Sequence, residues 1–89
     1  MITPERIEQV MQVVARAGLN EQTLAALRVV FAEHHFTYCR DDDIGGARPV
    51  RTAEGFNLYL VDGQAGCPRL TTDLDLATGL VLAEREPGV

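Results

Sequence analysis

Phe56-Asn57-Leu58-Tyr59-Leu60-Val61 begins after Gly55 and stops at Asp62-Gly63. Aromatic and branched residues held between two glycine-bearing turns read as a β-strand. Alternation places Phe56, Leu58 and Leu60 on one face and Asn57, Tyr59 and Val61 on the other. The first face is wholly apolar and needs a cover, and the strand edges need partners.

The cover is found upstream. Thr3 can cap a helix, Pro4 suits its first position, and Glu5 lies where the helix dipole favours a carboxylate. Ile7, Val10, Met11, Val14 and Ala17 then keep helical spacing until Gly18. Asn20 is a good cap for a second helix with Leu24, Leu27, Val30 and Phe31 along one side. The spacing predicts helices over 4–17 and 21–33, joined closely enough to pack as a hairpin.

At His35 the period changes from helical to alternating, which predicts a strand over 35–39 with Phe36 and Tyr38 turned towards the helices. Further strands are predicted over 69–75 and 80–84, linked as a hairpin through the tight connection Ala77-Thr78-Gly79. Leu70, Leu74, Leu80 and Leu82 would then join the covered face. The stretch 47–55, with Pro49, reads as an extended loop, and the tail Pro87-Gly88-Val89 as a frayed end. The fold expected is α+β: one domain, residues 1–89, with an N-terminal helical hairpin packed on one face of an antiparallel sheet of about four strands.

Composition narrows the function. The chain has 89 residues, no lysine and a net charge of −5, which argues against binding to phosphate backbones. No apolar stretch approaches the roughly 20 residues needed to cross a bilayer. No basic segment followed by an apolar run marks a secretion signal. Two cysteines, Cys39 and Cys67, are too few for a disulfide framework. A cytoplasmic protein with free thiols is expected.

The second sheet face would carry His35, Thr37, Cys39, Asn57, Tyr59, Val61, Thr71, Asp73 and Val81. No further helix remains to cover it, so it is either solvated or a surface for a protein partner, a homodimer included. On that reading Tyr59→Arg would disrupt a complex and leave the thermal midpoint nearly unchanged. Arg48 and Arg51 flank the central loops; they can take part in a carboxylate site or pair with Asp41, Asp42 and Asp43.

Metal and catalytic readings are weaker. His35, Cys39 and Cys67 are of the donor types that zinc and iron–sulfur centres use, but no Cys-x-x-Cys pair is present. Cysteines without a ligand pattern are more often small buried apolar residues. The acidic run Asp41-Asp42-Asp43 before Gly45-Gly46 lacks the bidentate glutamate of a calcium loop, whose twelfth position is Thr52. Gly63-Gln64-Ala65-Gly66 lacks a phosphate-loop lysine. The chain has no serine, and neither cysteine has a recognisable orienting group for a His base. No catalytic residue and no cofactor is assigned.

The strings 34–44 (HHFTYCRDDDI), Ala47-Arg48-Pro49-Val50, 56–62 (FNLYLVD), Cys67-Pro68, Leu70-Thr71-Thr72-Asp73 and 77–83 (ATGLVLA) together resemble a family of small bacterial proteins associated with nitrogen-fixation gene clusters. The resemblance covers residues 30–84 and extends less clearly to the helices. It implies a non-catalytic accessory role in nitrogenase assembly or protection, with nitrogenase or its assembly proteins as partner. It also strengthens the alternative already read from the residue types, a metal or iron–sulfur carrier using His35, Cys39 and Cys67.

Overall fold

A computed structural model describes residues 1–64 and 68–85. In chain order they form α1 (Pro4–Ala17), α2 (Glu21–Val30), β1 (His35–Arg40), a single 3-10 turn (Asp41–Asp43), β2 (Arg51–Ala53), β3 (Phe56–Asp62), β4 (Arg69–Thr71) and β5 (Gly79–Glu84). The frayed tail expected at 87–89 and Cys67 lie outside the described residues.

Both helices are capped by the residues that the spacing singles out. The Thr3 hydroxyl accepts from the Arg6 amide at 3.1 Å, and Asn20 Oδ1 accepts from the Thr23 amide at 2.9 Å. α1 ends on Gly18, whose φ of +83° favours glycine. α2 stops at Val30, three residues short of the expected Glu33. Phe31 leaves the helical conformation to enter the core, under the Arg6 guanidinium 4.4 Å from its ring centroid. Arg6 also meets Glu33 at 3.0 Å, so one side chain ties the start of α1 to the exit from α2.

The fold is α+β as expected, but the sheet is mixed. Its order is β1-β5-β3-β2, with β4 pairing the same edge of β3 as β2 does. β5 runs antiparallel to β3 and parallel to β1, with Phe36 beside Leu80 and Tyr38 beside Leu82. The expected hairpin between 69–75 and 80–84 does not form. β4 covers only 69–71 and pairs with β3. Asp73 then donates its amide to the Thr71 hydroxyl at 3.0 Å and accepts from the Asp75 amide at 2.9 Å. Such short side-chain bonds end a strand by offering the backbone local partners. The chain crosses the end of β3, buries Ala77 and enters β5 on the opposite edge, where the Thr78 amide donates to Val61 O at 2.8 Å. The stretch read as an extended loop contains β2, three residues paired with Phe56–Leu58.

Register corrects two side chains. Leu70 lies opposite Val61 and Thr71 opposite Leu60, so Leu70 belongs to the outer face and Thr71 to the helix face. Asp73 lies in the turn after β4, on no strand face. Tyr38 is on the helix face but 41% exposed. The main core joins Ile7, Val10, Val14, Leu24 and Leu27 of the helices to the leucines of β3 and β5. Ile2 is buried with them, its amide bonded to Leu74 O at 3.0 Å. Among the described residues no helix is long and apolar enough to cross a membrane.

The parallel pair sets a tight requirement at Gly79. A Cβ there would stand 2.9 Å from His35 O and 3.1 Å from His35 Cβ. Gly79→Ala is expected to lower unfolding free energy by about 1–3 kcal/mol, because backbone cannot yield as a side-chain end can. Gly45→Ala, which meets nothing within 4 Å, should be near neutral in the same urea titration.

His34 gives the fold a pH dependence. Burial lowers its pKa from 6.5; Glu33 opposes the shift, while Arg6 and the N-terminal amine reinforce it. The folded state therefore favours neutral imidazole, so this contribution is complete above pH 6.5 and is lost as pH falls below it. Unfolding free energy should decline from about pH 7.5 to 5.5, and His34→Gln should flatten the decline. An unchanged slope would remove His34 as its cause.

Candidate functional site

The outer face of the sheet brings the predicted residues together in three rows. His35, Thr37 and Cys39 of β1 flank Gly79, Val81 and Ala83 of β5, which flank Val61, Tyr59 and Asn57 of β3. The face is not open throughout. The chain leaving β1 folds back over one end of it, and Ile44 packs with Cys39 and Val61 around Tyr59, Val81 and Ala83. This second, smaller core leaves Tyr59 only 3% and Asn57 only 9% exposed. Both were expected to face a partner; burial beneath this segment overturns that reading. Tyr59→Arg should thus destabilise the fold itself, contrary to the sequence expectation.

Asp41 anchors the cover. Its Oδ1 accepts from the Tyr59 hydroxyl at 2.8 Å and from Asn57 Nδ2 at 3.0 Å. Burial, followed by the bond to Asp41, pushes the Tyr59 pKa up, so the hydroxyl stays a donor. Asn57 Oδ1 is buried without a hydrogen-bond partner among the described residues. The sequence gives a signal for this arrangement that is easy to miss. Two polar side chains at alternate positions of a buried strand need a shared acceptor, and the first aspartate after β1 supplies it.

The other predicted site residues separate. Arg51 lies on the helix side and meets Glu8 of α1 at 3.1 Å, a carboxylate partner other than the expected Asp41, Asp42 or Asp43. Arg48 is exposed in the segment between the 3-10 turn and β2. His35 and Cys39 share one face of β1. Burial, then Asp43 and Asp41, raise the Cys39 pKa, which favours the thiol over the more nucleophilic thiolate in the unligated chain. Among the described residues no group of three His, Cys, Asp or Glu side chains is placed to hold a metal ion.

The half of the face that no described residue covers ends in a cleft of about 510 Å³ lined by His35, Thr37, Val61, Gln64, Pro68 and Thr78. Leu70, opposite Val61, is a large apolar side chain left exposed at its margin. These groups offer apolar contact, hydroxyls and one imidazole, a mixture suited to recognition.

The chain belongs to a family of unknown function, DUF6129, whose model matches residues 8–85. No curated protein and no solved structure matches it.

Asp41→Ala would leave two buried donors without their acceptor. It is expected to lower unfolding free energy by about 2–4 kcal/mol, and Tyr59→Arg by at least as much, both read by urea titration. A variant of either kind that melts like the wild type would show that the cover is not fastened in this way.

Proposed function

We propose that this chain is a non-catalytic, cytoplasmic accessory domain that docks onto a larger protein through the uncovered half of its outer sheet face. The observation that carries this reading is the division of that face. One half is sealed by its own loop and the Asp41 bonds, while the other keeps an open cleft with Leu70 exposed beside it. Isolated apolar side chains on a surface are ordinary, but one bordering a concave, mixed-polarity cleft is a recognition feature. The carrier alternative, in which His35, Cys39 and Cys67 would hold metal, rests on their donor types alone. Nitrogenase or one of its assembly proteins is the partner that the sequence resemblance implies.

Anaerobic pull-down of the tagged protein from a nitrogen-fixing host, grown with and without fixed nitrogen, tests this. Nitrogenase or an assembly protein should be recovered only under fixing conditions, and Leu70→Arg should abolish recovery without lowering the melting temperature. Recovery of the tagged chain alone under both conditions would defeat the docking role. Stoichiometric iron or zinc lost in Cys39→Ser would support the carrier reading in its place.

A further inference from the structure

β1 is an edge strand. Among the described residues its ladder partner is β5 alone. The His35 amide points towards the β5 side, donating to Thr78 O, whereas Phe36 O points away and accepts from Arg28 Nη2 at 2.9 Å. Backbone groups alternate along a strand, so those of Tyr38 are also turned outward. A row of outward N–H and C=O groups is a template for a further strand.

The groove beside this edge has a volume of about 720 Å³ and is lined by Leu19, Asn20, Glu21, Leu24, Arg28 and Tyr38. Glu21, Ala25 and Arg28 follow one another at i, i+4 and i+7, on one side of α2. An acid, a small residue and a base in that order form a self-complementary row. When two such helices lie antiparallel, Glu21 of each meets Arg28 of the other, and Ala25 meets Ala25, where the backbones can approach closely.

We propose that a second copy of this chain pairs with the β1 edge about a two-fold axis through Tyr38. The two sheets join into one continuous sheet, and the two α2 helices lie antiparallel above the seam. The axis perpendicular to the sheet keeps both helices on the same face, as isologous pairing requires. Tyr38 exchanges its amide and carbonyl with Tyr38 of the second copy, and Thr37 stands opposite Cys39 on the outer face. Arg28, which caps Phe36 O in the single chain, is within the groove that Glu21 of the second copy enters. Its guanidinium has enough donors to serve both groups. Thr37 stands both in this seam and in the lining of the outer-face cleft, so the second copy borders that cleft.

Sedimentation equilibrium on the full chain tests the proposal. The wild type should be dimeric at tens of micromolar. Glu21→Arg and Arg28→Glu should each weaken association at least tenfold, since each places like charges together twice. The double exchange Glu21→Arg/Arg28→Glu should restore it. Circular dichroism establishes that each variant is folded, and Thr37→Cys gives an independent readout: oxidation should link it to Cys39 of the second copy as a covalent dimer. A wild type that stays monomeric at several hundred micromolar, or a dimer indifferent to both charge reversals, would overturn the proposal.

Discussion

The antiparallel ladder between β3 and β5 is the interaction on which the other parts depend. Leu58 beside Leu82 and Leu60 beside Leu80 make the floor against which both helices pack. The same ladder, seen from its other side, sets Tyr59 beside Val81 and Asn57 beside Ala83. Without β5, β1 has no ladder partner among the described residues, and the outer face has no apolar middle to hold Ile44. Two cores on opposite sides of one sheet are therefore joined through a single pair of strands, and both are small. Neither helix hairpin nor cover loop has another surface of comparable apolar area to bury against.

The outer core shows how an acidic residue can act in packing. Carboxylates are rarely buried without partners, yet Asp41 receives two donors from β3 and sits next to the strand whose end it closes. Its charge serves the hydroxyl of Tyr59 and the amide of Asn57 together, and it adds to the burial that keeps the Cys39 thiol protonated. The acidic run Asp41-Asp42-Asp43 thus divides. Asp42 and Asp43 are exposed, whereas Asp41 is half-buried and structural.

Local signals were legible and long-range ones were not. Thr3, Pro4, Gly18 and Asn20 mark the helix ends because capping is decided within one turn of chain. Phe56 to Val61 reads as a strand because alternation is local too. The position of β5 between β1 and β3 leaves no such trace: Leu80-Val81-Leu82 would look the same in a hairpin with β4. The one hint is Gly79, a residue without a side chain where a parallel neighbour comes close. β2 escaped because three residues are too few for a period to show. The burial of Tyr59 escaped because no helix or strand covers it, only an irregular segment. As for the site, His35, Thr37 and Val61 are together on the face where alternation put them, and Leu70 joined them through a one-residue difference in register.

The parallel pairing also governs the order in which the molecule can be built. Tyr38 and Glu84, which meet side chain to side chain, are 46 residues apart, and β5 is the last of the described strands to leave the ribosome. Until it arrives, α1, α2 and β1 form a local unit whose apolar side has no floor, and β3 can recruit only the short strands β2 and β4. Closing so long a loop before any contact compensates for it slows the search. Completion of the sheet consequently waits on β5, and a nascent chain halted before Gly79 holds helices without the β3–β5 floor they rest on.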